Sequence, residues 1–136
     1  MANTTISRLI FLSMVVLALT KECREEDRVL VIATHPDDEI ICCAGIISRA
    51  VQRQMCVRIV VLSNGEYFGS GASRGFERQA ESVAALAELG VSEDDIVFLG
   101  FPDAYLFSLL EDYRDPTSCL KTKHGMNATY GYRGLG

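Results

Sequence analysis

Three short apolar runs, each followed by a stretch of helical period, constrain this chain more than any other feature. Residues 28–33, Arg28-Val29-Leu30-Val31-Ile32-Ala33, read as a buried parallel strand. Residues 57–62, Val57-Arg58-Ile59-Val60-Val61-Leu62, read as a second, and 96–99, Ile96-Val97-Phe98-Leu99, as a third. Between the first two, Ile40, Ile41, Ala44, Ile47 and Val51 recur at helical spacing, which predicts a helix from 36 or 37 to about 52. A second helix is expected over 74–89, stopped by Gly90. A short helix is expected over 104–113. Alternation at this spacing implies βαβ units and a parallel sheet. The expected class is α/β, a Rossmann-like three-layer α/β/α arrangement, incomplete at the C-terminus because no ordered period follows Asp115. Right-handed crossovers bring the strands' C-terminal ends to one edge. His35, Asn64 and Phe101-Pro102-Asp103 are expected to meet there.

The chain has 136 residues, enough for one domain with a core. Its net charge is -5 and it has no lysine or arginine block, which argues against a nucleic-acid partner. Five cysteines without a C-x-x-C spacing suggest neither a thiolate zinc site nor a redox motif. Cys42, Cys43 and Cys56 read as buried free thiols, and a Cys23–Cys119 bridge stays open. Residues 9–20 are almost wholly apolar and follow Arg8. They are too few for a membrane span of about 18 or more residues, and they fit a signal-like or anchor segment. The expected organisation is therefore 1–27, leader or anchor plus charged linker, and 28–136, the domain. Possible membrane association through 9–20 and a secretory or membrane-associated location follow as expectations. A buried N-terminal helix is the other reading.

The junction after the first strand carries His35-Pro36-Asp37-Asp38-Glu39. Ligands and catalytic groups collect at strand ends in open α/β sheets. His35 and Asp38 are three apart, which on a first helical turn puts both on one face. An imidazole and a carboxylate suit zinc or a similar divalent ion. Asp37 would point differently, toward a water, as general base. In the alternative reading the three acidic residues neutralise a helix N-terminus and His35 packs nearby.

Further pieces follow in order: Leu62-Ser63-Asn64-Gly65-Glu66, then Arg78-Gln79-Ala80-Glu81 with Ala84 and Leu89-Gly90, then Leu99-Gly100-Phe101-Pro102-Asp103. With Thr34-His35-Pro36-Asp37-Asp38-Glu39 and Gly45, this set resembles the PIG-L/LmbE-like family of zinc-dependent N-acetylglucosaminyl de-N-acetylases, over residues 28 to about 107. The resemblance implies one catalytic Zn²⁺ held by His35 and Asp38, with Asp37 as general base. It implies Arg78 as a substrate-contacting or site-ordering residue and Asp103 as a pocket-lining one. Arg78 could instead pair with Glu77 or Glu81 on the helix surface, with Arg74 in its place. Asp103 could be a helix N-cap. Glu39 reads as structural. The implied substrate is a small molecule or glycan bearing an N-acetyl amino sugar: an N-acetylglucosamine-containing glycan, glycolipid or conjugate.

The family takes a further zinc histidine from nearer the C-terminus. The only other histidine here, His124 in Lys121-Thr122-Lys123-His124-Gly125, does not resemble that segment and reads as a solvated loop residue. The expectation is thus a truncated de-N-acetylase domain, with weak zinc binding or none and uncertain activity. Two rivals stand beside it. One is a Mg²⁺-dependent phospho-receiver-like signalling domain, which also carries an acidic pair after its first strand. The other is a non-catalytic sugar-binding relative.

Overall fold

The computed structural model describes residues 24–113, 115 and 117–132. The apolar segment 9–20, the sequence expectation of a leader or anchor, and Cys23 lie outside the described residues. No helix among the described residues is long and apolar enough to cross a membrane.

Six elements position the site: β1 (Arg28–Ala33), α1 (Asp38–Gln52), β2 (Cys56–Ser63), α2 (Ala72–Glu88), β3 (Ile96–Phe101) and α3 (Leu106–Glu111). The three strands form one parallel sheet in the order β1-β2-β3. This is the expected α/β, Rossmann-like arrangement. Alternate strand residues Val31, Ala33, Val57, Ile59 and Val61 share one buried cluster with Ile47 and Ala50 of α1 and Leu86 of α2. Both long helices therefore cover the same face, and the described residues build two of the three expected layers, the sheet and one helical layer. On the opposite face Leu30 and Ile32 stay about 60% exposed (60% and 63%). Complete burial of Ile47, Ile59 and Leu86 contributes roughly 1.5–3 kcal/mol each.

The inward stripe of α1 differs from the expected one. Ile40, Cys43 and Val51 pack against the core beside Ile47 and Ala50, while Ile41 is 76% exposed. Pro36 and Asp37 form a turn, and the first helical residue is Asp38. The inward residues 40, 43, 47, 50 and 51 keep helical spacing, and Ile41 falls off that stripe. Cys42 is accordingly exposed rather than buried; Cys42, Cys43 and Cys119 are free, so Cys119 makes no bridge to Cys23. Cys56 is disulfide-bonded, which corrects its reading as a free thiol.

Gly100 shapes the end of β3. Its φ is +73°, and a Cβ there would run into the backbone of Tyr130. The register between β2 and β3 shifts between Val61 and Ser63. The 130s chain docks at this point: Tyr130 N–H donates to Gly100 O at 3.2 Å, and Tyr130 O accepts from Asn64 Nδ2 at 3.2 Å.

The Tyr130 hydroxyl is buried, with no well-formed hydrogen bond among the described residues. Burial, and then the charge of Glu66, push its pKa well above the usual tyrosine range. An unfolded tyrosine loses its proton near about pH 10. Above that pH the unfolded chain holds fewer protons than the folded one, so stability falls as pH rises. We expect Tyr130→Phe to flatten this alkaline loss. Urea midpoints at pH 8 and above pH 10 check it: the gap between them should narrow in the variant.

Candidate active site

The C-terminal edge of the sheet collects the residues singled out in the sequence. His35 and Asp38 do meet, but through a turn rather than along a helix face. Asp38 N–H donates to His35 O at 3.3 Å, and the Asp38 carboxylate folds back to accept from His35 N–H at 3.0 Å. His35 Nδ1 then lies 3.3 Å from Asp38 Oδ2. On the far side of the ring, Nε2 lies 3.0 Å from Asp103 Oδ1. Asp103 is held in turn by its backbone N–H, which donates to Glu66 Oε1 at 3.1 Å. Asp103 does not cap a helix; the residue ahead of α3 is Tyr105, without a side-chain cap.

Asp37 has φ 147° and ψ -31°, a sparsely populated region for an L residue that costs of order 1–3 kcal/mol. The surroundings hold it there. Its carbonyl accepts from Ile40 N and Ile41 N at 3.0 and 2.9 Å. Its N–H donates to Glu39 Oε2 at 3.0 Å. Its Oδ2 pairs with the Arg78 guanidinium at 2.7 Å.

Arg78 is a tie between segments. It donates to Gly65 O at 3.0 Å and to Pro36 O at 2.9 Å besides Asp37. The surface pairing considered for it belongs to Arg74, which reaches Glu77 at 3.1 Å and Glu81 at 3.7 Å. A cavity of about 500 Å³ opens beside Asp37, and Arg78, Asp103, Glu39 and Phe68 also line it. Its size is that of a small-molecule site. His35 and Asp38 stand next to this cavity without forming its wall.

The donor set can be tested against zinc. Two ligands on adjacent corners of a tetrahedron with zinc's 2.0–2.1 Å arms lie about 3.3–3.4 Å apart. His35 Nδ1 and Asp38 Oδ2 have that separation, 3.3 Å, and the imidazole–carboxylate chemistry suits the ion. The pair therefore fits as two ligands. Among the described residues no group of three His, Cys, Asp or Glu side chains is placed to hold a metal. His124 is exposed, and its ring faces Tyr67 O at 3.4 Å rather than the His35–Asp38 pair.

Sequence reasoning missed the polar layer under the site. Glu39, Asn64, Glu66, Gln79 and Ser82 are all buried. Gln79 donates to Asn64 Oδ1, and Ser82 Oγ donates to Glu39 Oε1 at 2.5 Å. A signal for part of it was present. Gly75, Gln79, Ser82 and Leu86 form the buried stripe of α2, and a stripe at helical spacing that carries amide and hydroxyl groups marks a helix facing other polar groups.

Strand-end carboxylates, a histidine between two of them and an adjoining cavity define a class: an α/β protein with its ligand site at the C-terminal edge of a parallel sheet. The family follows from comparison. The chain belongs to the PIG-L family, GlcNAc-PI de-N-acetylase, whose pattern it matches over residues 30–124. Among solved structures it is similar to N,N'-diacetylchitobiose deacetylase from Pyrococcus horikoshii, at 25% identity and a TM-score of 0.50. That match covers 64% of this chain and 35% of the other, so the chain spans about a third of that protein's length. No curated protein matches the chain. Membership of this family takes the ground from the receiver-domain reading.

Proposed function

We propose that this edge is the centre of a zinc-dependent hydrolase that removes the N-acetyl group from an N-acetylglucosamine-containing glycan, glycolipid or conjugate. The observation that carries the reading is the His35–Asp38 donor pair, one tetrahedral edge apart, next to Asp37 at a cavity of small-molecule size. The family match and the deacetylase neighbour support it.

In this reading His35 Nδ1 and Asp38 Oδ2 hold the ion. Bound zinc supplies a Lewis acid for the acetamide carbonyl and lowers the pKa of water to about 7. Asp37 takes the proton from the attacking water and delivers it to the departing amine. Its Oδ2 is anchored by Arg78, and Oδ1 has no partner among the described residues, which leaves one oxygen for the proton. Arg78 thus orders the base and lines the cavity beside it. The products are acetate and a free amino sugar.

Asp103 is better placed to orient the histidine than was expected of a pocket-lining residue. A carboxylate on the far nitrogen of a ligating histidine fixes its tautomer and raises its basicity. We expect Asp103→Ala to weaken zinc binding by about 10–100-fold, read by competition with a chromophoric chelator. Unchanged affinity would return Asp103 to a substrate-contacting role alone.

The reading is tested by incubating the zinc-loaded protein with a simple N-acetylglucosamine conjugate and quantifying acetate and free amine. Equal release of both is expected. Sugar binding without release would point instead to the non-catalytic relative.

A further inference from the structure

The buried pair Glu39–Ser82 has no place in the chemistry above, yet it ends on the residue that does the proton transfer. Glu39 is fully buried. A carboxylate removed from water requires hydrogen bonds to its oxygens. One comes from Ser82 Oγ on α2, at 2.5 Å. The other comes from the backbone N–H of Asp37, at 3.0 Å. Ser82 is itself 4% exposed, so the brace runs from the interior of α2 across α1 to the strained turn.

We propose that Glu39, braced by Ser82, is a positioning residue that holds the Asp37 backbone at its positive φ and so keeps the Asp37 carboxylate at the cavity. This rests on the reading of Asp37 as the general base. Two other contacts secure Asp37 from different sides: Arg78 holds the side chain, and the amides of Ile40 and Ile41 hold the carbonyl. Among the described residues Glu39 alone holds the N–H, and rotation about the preceding peptide is what would release the strain. Position 39 calls for an acceptor toward Asp37 and a partner for the Ser82 hydroxyl. Glutamine meets both requirements, with its carbonyl oxygen toward Asp37 and its amide toward Ser82 Oγ. Methionine fills similar volume and meets neither.

The test compares the parent with Glu39→Met, Glu39→Gln and Ser82→Ala by amide hydrogen exchange at Asp37 and by steady-state kinetics. The exchange readout needs no activity. The Asp37 amide should exchange at least about tenfold faster in Glu39→Met than in the parent, with Glu39→Gln close to the parent and Ser82→Ala between them. In kinetics, Glu39→Met should lose at least about tenfold in kcat with little change in KM, because a misplaced base weakens the chemical step rather than sugar binding. Glu39→Gln should recover most of that loss. Should Glu39→Met fail to fold, Ser82→Ala reads the same amide. Unchanged Asp37 protection in Glu39→Met or, failing that, in Ser82→Ala overturns the brace. Lost protection with parental kcat overturns its role in positioning. A parent that releases no amine defeats the reading of Asp37 as base, and exchange still decides whether Glu39 holds the turn.

Discussion

Asp37→Asn should lower the rate of amine release by about two to four orders of magnitude, the usual worth of a positioned acid–base group. Zinc binding should change little. The two effects separate because Asp37 is not one of the donors in the proposed pair; the short contact is between His35 Nδ1 and Asp38 Oδ2. Asparagine is the informative replacement. It keeps the volume and planar branched shape of aspartate, so the turn at φ 147° is disturbed least. It still offers Arg78 an acceptor in place of Oδ2. What it lacks is a site that takes up a proton. Asp37→Ala should abolish turnover as well, at greater cost to the turn. Steady-state rates and a zinc titration on the same samples check this, and full activity in Asp37→Asn would remove Asp37 from the chemistry.

Asp38→Ala should act on the other quantity. Its carboxylate accepts from the His35 N–H at 3.0 Å and sits 3.3 Å from the ring. Truncation removes one of the two donors and also unties the turn that aims the other. Zinc affinity should fall by more than about a hundredfold, beyond the 10–100-fold expected of an outer-shell partner such as Asp103. The order Asp38→Ala, then Asp103→Ala, then Asp37→Asn, from largest to smallest loss of affinity, distinguishes ligand, orienting partner and base. Equal affinity in parent and Asp38→Ala would take Asp38 out of the ligand set.

The strands and helices were legible because their signals are periodic and local. Alternating burial along β2 and the stop at Gly90, φ +82°, follow directly from side-chain patterning and glycine's freedom. The start of α1 was less legible. Pro36 suits a first helical turn in general, but here it precedes a residue at φ 147°, and the helix begins after both. Within the helix the inward stripe takes Cys43 and leaves Ile41 exposed, a choice that packing against the sheet makes and local spacing does not. Long-range partners had no local signal at all. Asp103 is 68 positions from His35 and Arg78 is 41 from Asp37. Their pairings depend on strand order and loop path, so the sequence could place these residues on one edge without saying which would touch. Glu39 reads as structural from the sequence, without an indication of what it holds. Its burial beneath the turn became visible only once α2 was packed across it.

The central claim is that the metal and the removal of the acetyl group belong to this one strand-end site. It is tested most directly by stripping the protein with a chelator, adding zinc back in steps, and following amine release from an N-acetylglucosamine conjugate beside zinc bound per chain. The account predicts no release from the stripped protein, and recovery in proportion to bound zinc in the parent but not in Asp38→Ala. Release that survives complete removal of metal, or that returns equally in Asp38→Ala, would contradict it.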